Sequence, residues 1–415
     1  MPFAEADAAA AESGEPRPDS CRGLPMSVSR LVRPPGLQTD EGRSASRLEL
    51  FFDLAFVLVV AELAGALSKD LSGHGAVKFA GLYVVAWWTW ASSTLYANRF
   101  DTDDVVFRIL KLTGMLAVLG MAASASDATG KRVVQFVACY VLLRILLFVM
   151  YARAWRSVPE ARPTINLYLV GAGTGAALWS ASLLTDGWLR YALWAVGLAI
   201  EVLIPVTATF APGSVPLHLE HLPERLGLFV ILVLGESVAS VAQGVHDVSW
   251  TADSVAVAVV CFVLTAGLWW STFDFAGAAA KRLLLGASDE GRRIAEDAFF
   301  YGHLPITLGL VATAVGIEHL ILESSAAQAA YWTRLVLCGG VAIYLASVSL
   351  TNSALSGRWR TGWWWLGPAA LLALAAAVVT IPSVALVALL AAIVVGVVAF
   401  GIVQEGRGEI ELEQL

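Results

Sequence analysis

The chain has 415 residues, 58% hydrophobic and 15% charged, with a net charge of -7 and a mean hydropathy of +0.70. A soluble domain carries about a quarter charged residues, so this composition excludes an ordinary soluble domain and points to a polytopic protein whose solvent is the lipid bilayer. The charge gives no basic footprint for nucleic acid, and four cysteines without CxxC spacing give neither a disulfide framework nor a metal site.

Residues 1–46 are rich in Ala, Ser, Pro, Gly and Arg and lack the apolar core of a signal peptide, so they read as a disordered cytoplasmic tail. Beyond them come stretches of about 20 apolar residues, the length that crosses a bilayer. They fall at roughly 48–68, 77–98, 107–126, 133–152, 165–184 and 188–211. After a polar break they resume at roughly 222–244, 253–276, 299–320, 331–351, 362–380 and 383–403. The expected fold is an all-α polytopic membrane protein of about 12 transmembrane helices. Its first six-helix half is 47–211, its second is 212–403, and 404–415 form a cytoplasmic C-terminal tail. Most of the 27 Lys and Arg residues fall in inner segments when the N-terminus is placed inside, which predicts N-in, C-in.

The halves resemble each other. RLELFFDLAFVLVVAEL in the first span and LPERLGLFVILVLGESVA in the seventh each carry an acid at the inner mouth (Glu49, Glu224) and a second glutamate further out (Glu62, Glu236). The second and eighth spans share a tryptophan cluster followed by a base, WWTWASSTLYANR against LWWSTFDFAGAAAKR. Both halves start inside and hold an even number of spans, so the repeat is parallel, about an axis along the membrane normal.

An ionisable side chain inside a span costs about 2.5–3.5 kcal/mol on insertion scales, and so marks a site by default. Glu62 and Glu236 are the costliest and form a candidate carboxylate pair. Arg225 shares a helical face with Glu236, three turns away. Glu49 and Asp53 sit at the inner mouth, where Arg43 and Arg47 are near enough to compensate them. Arg144, mid-span, needs a carboxylate, and Glu201 and Asp53 both qualify. Asp274 and His303 complete the substrate- and proton-binding candidates, His303 being either a proton relay or a simply hydrogen-bonded side chain. Glu318 and His319 read as interfacial, and the tryptophans as belt or packing residues. His218 and His221 have metal-ligand spacing, but Pro223 interrupts the turn, and no HExxH, GxSxG or phosphate-loop motif occurs. The sequence therefore predicts no enzyme, no cofactor and no metal.

Three blocks, ELFFDLAFV, WWTWASSTLYANRFDTDD and HLPERLGLFVILVLGESV, resemble the bacterial low temperature requirement protein A (LtrA) family, and the likeness runs over residues 47 to 400. Its motif residues fall here on Glu49, Asp53, Asn98, Asp101, His221, Glu224, Arg225, Gly235 and Glu236. The resemblance implies a multi-pass protein of the bacterial inner (plasma) membrane linked to growth in the cold, and it supplies no substrate. Two functions are open on this reading. One is a proton-coupled secondary transporter of a small molecule or ion using paired intramembrane carboxylates. The other is a non-transporting membrane factor or scaffold supporting growth at low temperature, with its carboxylates paired internally.

Overall fold

Four helix starts follow from local hydrogen-bonding chemistry. The computed structural model describes residues 32–38, 46–209, 215, 221–276, 289–356 and 365–413. The first helix, α1 (Arg47–Lys69), opens with a capping box. Ser46 Oγ accepts from the Glu49 backbone N–H at 3.2 Å, and Glu49 Oε2 accepts from the Ser46 N–H at 2.9 Å. Ser72 caps α2 (Gly73–Arg99), Asp104 caps α3 (Val105–Ala125), and Thr251 with Ser254 forms a second capping box on α8 (Ala252–Trp270). The remaining helices are α4 (Val133–Ser157), α5 (Arg162–Ser182), α6 (Gly187–Thr209) and α7 (His221–His246). They are followed by α9 (Asp289–Leu322), α10 (Tyr331–Ser356), α11 (Leu366–Ala375) and α12 (Ser383–Glu413).

These helices stand where the apolar stretches place them. Among the described residues, nine are long and apolar enough to cross a membrane. α2 and α5 are long but less apolar, and α11 spans ten residues before a 3-10 turn at Ala376–Val378. The weaker hydropathy of α2 has a packing reason. Every residue from Val85 to Phe100 is buried, so this half of the helix meets protein instead of lipid and can carry Ser, Thr and Asn. It is the polar axis of the first half of the chain.

Part of the segment expected to be a loose tail is placed. β1 (Gly36–Leu37) pairs antiparallel with β2 (Phe100–Asp101), and the Arg33 guanidinium donates to Asp101 at 2.7 Å. This clasp ties the start of the bundle to the α2–α3 turn.

The closest helix contact joins α9 and α10. A Cβ on Gly309 would stand 2.7 Å from the Gly340 carbonyl oxygen, and one on Gly316 would stand 2.6 Å from Leu337 Cα. The obstructing atoms are backbone, so no rotamer change relieves them. Gly316→Val is expected to force the two helices apart at a cost of about 1–3 kcal/mol. A chemical unfolding curve in detergent checks this, and a midpoint equal to that of the parent chain would contradict the packing.

Candidate functional site

The sequence WTWASS on α2 organises the polar interior. Trp88 and Ser92 lie four residues apart and face α4 and α6, while Trp90 and Ser93 lie three apart and face α1 and α3. Each tryptophan gives its indole N–H to one buried carboxylate, and each serine accepts from one buried cation.

On the first face, Trp90 Nε1 donates to Asp53 Oδ1 at 2.8 Å, and Arg225 Nη2 of α7 donates to the same oxygen at 2.7 Å. The side chains of this ion pair are 1% and 2% exposed. Phe229 stacks on Trp90 with ring centroids 4.2 Å apart, closing the pair from one side. Lys111 of α3 is buried beside it, donates to Ser93 Oγ, and stands 4.3 Å from the Phe52 ring centroid. Lys111 is within electrostatic reach of both Glu49 and Asp53.

On the second face, three donors converge on one oxygen, Glu201 Oε2: Arg144 Nη1 at 2.9 Å, Trp88 Nε1 at 3.0 Å and Tyr140 OH at 3.1 Å. Arg144 also donates to Ser92 Oγ at 2.9 Å. Gly175 of α5 makes room for this carboxylate, because a Cβ there would collide with Glu201 Oε1. Tyr140 stacks on Trp179, which stacks in turn on Trp194. Those two tryptophans also line a cleft of about 640 Å³ between α2, α5 and α6, with Lys78, His74 and Tyr191 among its polar residues. Its wall is thus one aromatic ring away from the Arg144–Glu201 pair.

A third ionic cluster lies where α2 meets α3. Arg153 Nη2 donates to Asp104 Oδ2 at 2.6 Å, and the Arg33 backbone N–H reaches the same oxygen at 3.2 Å. Asp104 is buried, and its other oxygen caps α3 at Phe107 N, 2.8 Å away.

The structure brings together some of the sequence candidates and separates others. Asp53 meets Arg225, and Arg144 takes Glu201. Glu49 belongs to the α1 capping box as well as to the charge field of Lys111. Arg47 is exposed, and Arg43 and His218 lie outside the described residues. Glu62 is exposed on α1, whereas Glu236 is half-buried within electrostatic reach of Glu318. Ser68 Oγ lies 3.5 Å from Glu318 and 2.9 Å from His319 Nε2. His303 is buried, with Nδ1 bonded to the Phe299 carbonyl oxygen one turn back in α9. Glu224 is exposed in the first turn of α7. Pro223, expected to interrupt a turn, sits in that same first helical turn, where a missing N–H leaves no intrahelical bond unmade. The side chains of His221 and Asp274 lie outside the described residues. Among the described residues, no three His, Cys, Asp or Glu side chains come together as a metal site.

Sequence reasoning passed over Lys111, Trp90, Tyr140, Ser93 and Asp104 as site residues. For Lys111 a signal was present, since it falls inside the stretch 107–126 and not in a loop. The Ser46-x-x-Glu49 spacing likewise carried the capping box.

The model of the bacterial low temperature requirement A protein (LtrA) matches residues 44–399, a range containing both buried ion pairs. An uncharacterized protein of Rhizobium meliloti (strain 1021) is 32% identical over 321 residues, which cover 74% of this chain and 76% of that protein.

Proposed function

The chain belongs to the bacterial low temperature requirement A family, and from that premise we propose that it is a proton-coupled secondary transporter of a small, largely apolar solute in the inner membrane. The observation that carries this reading is the buried Asp53–Arg225 pair, which links the first helix of one half to the first helix of the other. A proton delivered to Asp53 cancels its charge and removes its hold on Arg225, so the α1–α7 contact gains two states of different strength. That is the element alternating access requires, two halves rocking about a shared contact. The cleft of about 640 Å³ supplies a chamber of small-molecule size, lined largely by apolar and aromatic side chains. The coupling role is assigned to Asp53 over Glu62 and Glu236, because its charge is the one sealed between the halves.

The proposed architecture is twelve spans in two parallel six-helix halves, N-in and C-in, without enzymatic activity. The order of packing supports duplication. α1 packs on α3, α3 on α4 and α4 on α5, while α7 packs on α9, α9 on α10 and α10 on α11. The Arg33, Arg108 and Arg153 cluster supports the orientation, since it gathers at the end read as cytoplasmic.

The test is proton flux in proteoliposomes loaded with a pH-sensitive dye and challenged with a panel of apolar and amphipathic small molecules. At least one solute is expected to drive proton movement in the parent chain, with that movement lost in Asp53→Asn, a near-isosteric change that keeps an acceptor for Trp90. Equal flux in Asp53→Asn and the parent chain would end the coupling assignment. A second reading, a non-transporting membrane factor that supports growth at low temperature, is favoured by the closure of both buried pairs within the bundle. It predicts that folded Asp53→Asn still restores growth in the cold to cells lacking the protein.

A further inference from the structure

Between the two ion-pair faces of α2 lies a small, partly open cavity. It measures about 20 Å³ and is lined by α2, α3 and α4 with Phe52 of α1, which suffices for one particle the size of water, for which roughly 10–15 Å³ is needed. Its polar lining is Lys111, Arg144, Thr89, Ser92 and Ser93, and no carboxylate is among its lining residues. Lys111 is 3% exposed and Arg144 1%.

Both charged groups of this lining are donors, and its side-chain acceptors are hydroxyl oxygens alone. Thr89 gives its hydroxyl proton to Val85 O, and Ser92 gives its own to Thr89 O while accepting from Arg144. Ser93 accepts from Lys111. An ammonium has three donors, and Ser93 takes one of them. Arg144 Nε is buried without a hydrogen-bond partner. A water molecule placed here would find only hydroxyl lone pairs for its protons and would bring no charge to face the two cations. A halide brings only lone pairs.

We propose that this cavity binds a small monatomic anion of the halide class between Lys111 and Arg144. The six buried ionisable groups nearby (Glu49, Asp53, Lys111, Arg144, Glu201 and Arg225) sum to zero charge. The ion is therefore held by converging donors and not by net charge, and its affinity falls in the millimolar range. The site is independent of any transport activity.

Two measurements on the full chain test it. Crystals soaked in sodium bromide, with diffraction recorded at the bromine edge, are expected to show an anomalous peak within hydrogen-bonding reach of Lys111 and Arg144. In nanodiscs, chloride is expected to raise the thermal midpoint saturably where gluconate does not. Lys111→Met should weaken that response about tenfold, the loss of one charge-assisted hydrogen bond. Ser93→Ala, which keeps the ammonium, should weaken it less. If Lys111→Met fails to fold, the bromide peak and the Ser93→Ala titration decide. Absence of the peak at saturating bromide, equal responses to chloride and gluconate, or an unaltered chloride midpoint in folded Lys111→Met would each overturn the assignment.

Discussion

Arg225→Met is expected to destabilise the bundle by about 3–5 kcal/mol, because it strands the Asp53 carboxylate, 1% exposed, without its cation. The magnitude comes from the uncompensated charge and not from the lost contact. Replacing both partners with apolar residues, as in Asp53→Leu with Arg225→Met, should therefore recover most of the loss. Trp90 limits the recovery, since its indole N–H loses the acceptor it now reaches at 2.8 Å. Unfolding free energies of the parent, both single variants and the double variant, taken in one detergent–denaturant series, give the coupling directly. A strongly negative interaction term is expected, with the double variant more stable than either single one. If the single variants each lose less than about 1 kcal/mol, the pair is solvated and its sealed character is lost.

The pair also marks the limit of what the sequence could reveal. Helix positions were legible because twenty-residue apolar runs and the residues between them are local signals. Arg144 and Glu201 were legible as intramembrane charges for the same reason, whereas Asp53 read as a group of the inner mouth. The pairing of Asp53 with Arg225 was not legible, since the two stand 172 residues apart and no periodicity within either helix refers to the other. For Arg144 the sequence left Glu201 and Asp53 equal, and only packing separated them. α5 offers Gly175 opposite Glu201, whereas α7 brings its own arginine to Asp53.

Spacing along one helix does not show which way a charged side chain faces. Lys111 lies one turn after Arg108 on α3. Arg108 does point outward to Asp103, and one turn along the helix Lys111 turns inward to Ser93. Glu62 reads from the sequence, with Glu236, as one of the two costliest carboxylates. It lies seven residues, about 10 Å, before the end of α1 at Lys69, close enough for a flexible side chain to reach the interface. Its exposure in the bundle agrees with that position. The buried charge concentrates instead beside α2, where Trp88 and Trp90, read from the sequence as belt or packing residues, donate to carboxylates.

The second large effect is expected at Arg144. Arg144→Met removes the cation from a carboxylate whose side chain is 3% exposed, and a loss of about 3–5 kcal/mol follows on the same grounds. Here the remaining partners make the consequence graded. Trp88 and Tyr140 still donate to Glu201 Oε2, so two hydrogen bonds from neutral donors to the carboxylate persist where the ion pair is gone. Tyr140→Phe alone should cost about 1.5–3 kcal/mol, because it takes away one hydrogen bond to a charged group and leaves the ion pair. Glu201→Gln should fall between, since it strands the guanidinium but leaves an acceptor for Trp88. The expected order of stability is parent, Tyr140→Phe, Glu201→Gln, Arg144→Met, read from unfolding in a single detergent. Tyr140→Phe as damaging as Arg144→Met would mean that the tyrosine's stacking on Trp179, and not the charge, holds α4 against α5 and α6.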